Sequence, residues 1–231
     1  MASPPTELER APSRAWIALA LWLGLAGLQS GLTFVAGGGT QDDSEPLYQY
    51  SFAAGAVVFY GIAVALTLWI ASLFPEGRMA ALGLRRFPLR AVGLAALVVL
   101  AGLVVSAVLE PVLPAGEEQG FELDEWRADK VAPYILNALA VSIVGPFAEE
   151  LFFRGLGFRA LTIFGSVAAV VVSGLVFGFA HGILVAVPAL AIFGVLLAWL
   201  RLRTGSIWPC VIAHGAYNGL GVLIFFLIAA Y

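Results

Sequence analysis

Seven apolar runs, each about as long as a bilayer is thick, leave little of this chain for anything else. They cover residues 16–36, 50–74, 91–113, 131–155, 163–182, 183–200 and 207–231. A hydrocarbon core about 30 Å thick needs about 20 apolar residues per helix. Only helices and closed barrels satisfy their own backbone there. The chain is 61% hydrophobic and 12% charged, against about 25% charged in soluble domains. Its mean hydropathy is +0.96. The expected fold class is therefore an all-α membrane protein, a polytopic bundle of about seven transmembrane helices, with its site between the C-terminal helices.

Several classes are excluded at once. A net charge of −3 gives no basic surface for nucleic acid. The single cysteine, Cys210, rules out an internal disulfide and a Cys-rich zinc site. It reads as a small apolar residue. Residues 1–15 are polar, hold three prolines, and are expected to form a disordered cytoplasmic tail. Residues 16–36 read as a retained helix. Glu7 and Glu9 precede the run, the run is too long for a signal h-region, and no small-residue cleavage site follows. The chain then divides into helices 1–3 with an outer acidic loop over 16–130, and a helical core over 131–231.

Placing the N-terminus in the cytoplasm puts ten of the twelve basic residues on or near the inner side, leaving only Arg127 and Lys130 outside. The outer connections, 42–45 and 117–129, are acidic.

Polar groups inside the apolar runs carry the functional information. A charged side chain at the bilayer centre costs roughly 2.5–3.5 kcal/mol on insertion scales, so it persists only when paired or facing a wet cavity. In "GPFAEELFFRG" Glu150 and Arg154 are one helical turn apart and can pair. Glu149 points about 100° away from that pair. His181 follows Phe177 by one turn in the fifth run, and His214 precedes Asn218 by one turn in the seventh. Gly174, Gly178 and Gly182, and again Gly215 and Gly219, form small-residue stripes that let helices approach closely. Three helices can thus aim Glu149, His181 and the His214–Asn218 pair into one compact cavity. Pro146 is expected to kink the fourth helix ahead of the glutamates, and Glu110 to sit at the outer end of the third.

A buried carboxylate beside a histidine can hold and deprotonate water. A histidine and an asparagine one turn apart can donate to a developing oxyanion. Together these groups describe hydrolysis of a carbonyl compound, and in a membrane the available carbonyl is a peptide bond. Zinc on Glu149, His181 and His214 is the alternative, although the H-E-x-x-H spacing is absent. No cofactor is otherwise expected.

Glu149-Glu150-x-x-x-Arg154, Phe177-x-x-x-His181 and His214-x-x-x-Asn218 resemble the three motifs of the CAAX-protease and bacteriocin-processing (Abi, CPBP) family of intramembrane endopeptidases. That family includes the Ras-converting prenyl-protein protease. The resemblance covers about 131–220. It implies that Glu149 activates water, that Glu150 and Arg154 are structural, and that His181 holds the water. It makes His214 and Asn218 the oxyanion side, with Phe177 as a wall. The expected partners are the bilayer and a membrane-associated protein or peptide substrate, in a prokaryotic plasma membrane. Helices 1–3 carry none of these motifs and are expected to govern substrate choice. Two other readings fit the composition: a non-catalytic immunity or scaffold protein on the same fold, and a proton-coupled transporter. Against the transporter, no internal repeat is visible.

One conflict stands in this reading. Glu149 lies about a turn from the inner-side Arg154, while a full-length fifth helix carries His181 toward the outer surface. The two meet only if that helix is displaced, shortened or re-entrant.

Overall fold

The computed structural model of the chain describes residues 7–37, 46–113 and 125–230. Most of the acidic outer connections, including 42–45 and 117–124, lies outside the described residues. Among the described residues seven long helical segments follow one another, with a single helical turn, Arg78–Ala81, between the second and third: α1 (Glu7–Gly37), α2 (Tyr50–Ala71), α3 (Arg90–Leu109), α4 (Ala128–Phe164), α5 (Ser166–Ala180), α6 (Val187–Thr204) and α7 (Trp208–Ala229). No strand occurs among the described residues. Six of the helices are long and apolar enough to cross a bilayer, and α5 is not. The chain is an integral membrane protein.

Of the expected tail, residues 1–6 lie outside the described residues and residues 7–15 are helical in α1, whose apolar span is Arg14–Val35. Against an expected count of about seven, six helices among the described residues are candidate spans, and α5 has 15 residues. At 1.5 Å per residue it rises about 22 Å, short of a hydrocarbon core of about 30 Å.

The shortening removes the conflict in depth. Helix α4 runs past Glu149 to Phe164, and Gly165 (φ 91°) turns the chain back. Helix α5 then climbs to His181, where Gly182 (φ 70°) ends it. Its final carbonyls would be orphaned in an apolar setting. Helix α1 supplies the partners. Ser30 Oγ donates to the Phe179 carbonyl at 2.8 Å, and Thr33 Oγ1, which also reaches the Gln29 carbonyl of its own helix at 2.9 Å, lies 3.3 Å from that of Ala180. A Cβ on Gly182 would collide with Thr33. Ser30→Ala should therefore cost about 1 kcal/mol of stability, read as a lower melting temperature in detergent. Gly182→Ala should cost more, because it adds a left-handed strain to a clash.

Helices α5 and α6 form a tight hairpin. A Cβ on Gly174 would lie 2.5 Å from Val195 N, and one on Gly178 would lie 2.9 Å from Ala191 N.

Helix α4 is irregular around the glutamates. Wide π turns span Ala140–Val144 and Leu151–Gly157, on either side of the regular turn Gly145–Glu150. Pro146 has no N–H, so the Ser142 carbonyl receives no α-helical bond from it. Helix α7 comes close to that carbonyl: a Cβ on Gly215 would sit 2.5 Å from Ser142 O. Such π turns re-aim side chains and recur at functional sites.

The two ends of the bundle differ in charge. Arg159 binds Glu76 at 2.6 Å. Burial alone would raise the Glu76 carboxyl, but the hydrogen bond and charge from Arg159 outweigh it and hold it below its ordinary value. Ser206 Oγ donates to Arg85 O, and Ile207 N to Gly83 O. These contacts gather Arg78, Arg85, Arg86, Arg90, Arg159, Arg201 and Arg203 at one end. At the other end, the buried Asn137 amide donates to the carbonyls of Pro46, Leu47 and Gln49. Trp126 N donates there to Ala229 O.

Candidate active site

Glu150 and Arg154 are both fully buried, with Arg154 Nη1 donating to Glu150 Oε1 at 2.8 Å. Arg154 Nη2 donates to Gly194 O of α6 at 3.0 Å, and its guanidinium lies 4.3 Å from the centre of the Phe177 ring. The same Glu150 oxygen lies 2.9 Å from His214 Nδ1. Sequence spacing shows the local partner, Arg154. It does not show that Glu150 also anchors a histidine from α7. That contact fixes the imidazole: an ionised Glu150 accepts, so Nδ1 carries a proton and Nε2 faces the cavity.

Glu149 points away from this pair, as its position on the helix requires. Its Oε1 accepts a hydrogen bond from Tyr60 Oη at 2.9 Å. Its Oε2 is buried and has no hydrogen-bond partner in the protein. Two ring nitrogens face that oxygen. His181 Nε2 and His214 Nε2 each stand 3.9 Å from it. His181 Nδ1 is 2.8 Å from the Phe177 carbonyl. A carbonyl only accepts, so Nδ1 is the donor and Nε2 again faces Glu149. Phe177 is fully buried between the two rings, 4.7 Å from His181 and 5.5 Å from His214, centre to centre. Asn218 lies one turn beyond His214, with Nδ2 donating to Val141 O of the first π turn at 3.0 Å. An amide nitrogen has a second proton to offer.

These groups line a cavity of about 320 Å³ whose floor includes Glu149, Phe177, His181, Phe193 and His214. Its upper wall includes Phe52, Leu109, Glu110, Leu113 and Phe225, at the ends of α2, α3 and α7 away from the arginines. Asn218, Tyr217 and Ser106 stand between, with the last two hydroxyls 2.6 Å apart. A second cavity of about 220 Å³ lies between α1, α2 and α4. It meets the first at Tyr60 and Glu149 and is otherwise lined almost wholly by apolar side chains.

A zinc ion needs three or more donors converging at about 2.0–2.3 Å. Among the described residues, no group of three or more His, Cys, Asp or Glu side chains is arranged to hold a metal ion.

Residues 131–220 match the family described as Rce1-like, type II CAAX prenyl endopeptidase. Over these residues the chain is similar to the CAAX-protease family. No curated protein and no solved structure matches it. The family is generally proteolytic, and the matched segment contains Glu149, Glu150, Arg154, Phe177, His181, His214 and Asn218. The matched segment does not contain every group at the site. Tyr60, from α2, touches Glu149 from outside it. Its only trace in the sequence is a hydroxyl in mid-span. Gly145 makes room for it, because a Cβ there would lie 2.9 Å from the phenol oxygen.

Proposed function

We propose that this chain is an intramembrane endopeptidase, hydrolysing a peptide bond of a membrane-associated protein or peptide with a water activated by Glu149. The observation that carries the proposal is the unpartnered Oε2 of Glu149, buried and 3.9 Å from two imidazole nitrogens. Three atoms at that spacing leave a place where one water can touch the carboxylate and the His181 ring together. Tyr60 occupies Oε1 and so leaves Oε2 to act.

In the reaction, Glu149 Oε2 takes a proton as the water oxygen bonds to the scissile carbonyl carbon. The carbonyl oxygen becomes an oxyanion on the side of His214 and Asn218. The free Asn218 N–H donates to it directly. His214 donates from Nε2 only with both ring protons present, and Glu150 then lies 2.9 Å behind it as counter-ion. Collapse breaks the C–N bond, and the proton held by Glu149 passes to the leaving amine. Preorganised donors of this kind are worth most where water is excluded. Every group in this scheme belongs to the chain, and no metal takes part.

The test is cleavage of a panel of membrane-tethered peptides by purified wild type and Glu149→Gln, each with and without chelator. Tyr60→Phe gives a second reading of the same geometry. A hydrogen bond to a charged group contributes about 1.5–3 kcal/mol. Losing it should lower kcat about tenfold or more with KM little changed. An unchanged kcat would show that Tyr60 does not position the carboxylate.

A further inference from the structure

We infer that the reacting centre is reached from the extracytoplasmic face, so that the bond cleaved lies in an exported segment of a membrane-attached protein. The inference rests on the reading of Glu149, His181 and His214 as that centre.

Three observations carry it. The first is the height of the α5–α6 hairpin. Helix α5 has only 15 residues, starts at the arginine-rich end, and stops at His181. Helices α2, α3, α4 and α7 continue past that level, and the gap above the hairpin is the larger cavity. Its wall there is built from the far ends of these helices, with Phe52, Leu109, Glu110, Leu113 and Phe225 among its residues. Glu110, Ser106, Tyr217 and Asn218 make the passage polar enough for a polypeptide backbone.

The second observation is the opposite side. Between the centre and the arginine-rich end lie Arg154, Phe153, Leu156, Leu197 and Ile207, all without solvent exposure. Neither of the two cavities that meet at Glu149 is lined by the arginine-rich loops. A peptide arriving from that end would have to displace the buried core and the Glu150–Arg154 pair.

The third is charge. Arg78, Arg85, Arg86, Arg90, Arg159, Arg201 and Arg203 share the sealed end, while Arg127 and Lys130 lie at the open one. Short loops rich in arginine stay in the cytoplasm. The sealed end is therefore cytoplasmic, and the cavity opens outward. A substrate whose scissile bond remained in the cytoplasm has no path to Glu149. One whose cleavage segment has already crossed the membrane does.

The experiment reads sidedness without needing a substrate. The only native thiol, Cys210, is fully buried, so wild type is the blank. Leu113→Cys places a thiol at the mouth, Ala56→Cys and Ala189→Cys place one on each wall deeper in the cavity, and Arg85→Cys places one at the arginine-rich end. Each is treated with a membrane-impermeant maleimide in right-side-out and inside-out vesicles. The expected result is labelling of Leu113→Cys and of a wall thiol only in right-side-out vesicles, and of Arg85→Cys only in inside-out vesicles. Wall thiols labelled only in inside-out vesicles would overturn the inference. So would two folded wall variants that label from neither side. Neither result depends on cleavage. An active Glu149→Gln protein would sink the hydrolytic reading and leave the labelling pattern standing.

Discussion

Replacing Glu149 with glutamine is expected to lower cleavage of membrane-tethered peptides by about 10²–10⁴, the range that a positioned general base supplies. The substitution keeps the shape of the side chain. The Tyr60 hydroxyl, which donates to Glu149 Oε1 at 2.9 Å, can still donate to an amide oxygen. What is lost is a group that accepts a proton at the position between the two histidines. Folding should be unaffected, so the melting temperature in detergent is the control. The chelator arm separates two chemistries. Wild-type activity that survives chelation, with the variant inactive, is the result expected of a carboxylate acting on water directly. Activity lost to chelator and restored by zinc would mean that the resting arrangement rearranges to bind metal. A variant as fast as wild type would remove Glu149 from the reaction altogether.

The scaffold reading makes the opposite prediction. A protein that works by binding alone should tolerate Glu149→Ala, and the variant should complement a deletion phenotype as wild type does. The hydrolytic reading expects no complementation. The transporter reading needs proton flux in proteoliposomes that disappears in Glu149→Gln.

The parts of the site that were legible in the sequence share one property: they are strongly polar groups in apolar helices. Glu149, Glu150, Arg154, His181, His214 and Asn218 stand out because lipid penalises each of them unless it is paired or wet. Helical spacing then separates Glu149 from the Glu150–Arg154 pair. Two things were not legible. One is where α5 stops. Ile183, Leu184 and Val185 beyond it are as apolar as the helix, so hydropathy runs through the break. The end is set instead by Gly182 and by hydroxyls on α1, Ser30 and Thr33, which lie 149 and 147 residues from their partners. The other is Tyr60. A phenol in an apolar helix reads as packing, and its partner Glu149 is 89 residues away. Both are long-range contacts, and a one-dimensional pattern records only neighbours. The depth conflict between Glu149 and His181 was the one sign in the sequence that α5 had to be short.

Removing the guanidinium of Arg154 should have the largest effect on stability. Arg154→Ala leaves Glu150 buried with a negative charge and only His214 beside it, and it also strips a donor from Gly194 O. Breaking a buried pair in this way costs about 3–5 kcal/mol, because the remaining charge is uncompensated. The expected outcome is little folded protein after detergent extraction, measured by size-exclusion profile and thermal melting. Activity loss in that variant says nothing about chemistry. The informative variant is the double one, Glu150→Met with Arg154→Met. An apolar pair of similar volume removes both charges together, so much of the stability should return. The return should be incomplete, because His214 Nδ1 loses its acceptor and a buried unsatisfied polar group costs about 1–3 kcal/mol. Activity should stay low even where folding recovers. The His214 ring would be free to rotate, and no counter-ion would stand behind it when it carries both protons. If instead the double variant folds and cleaves at the wild-type rate, Glu150 positions nothing, and its contact with His214 at 2.9 Å serves stability alone.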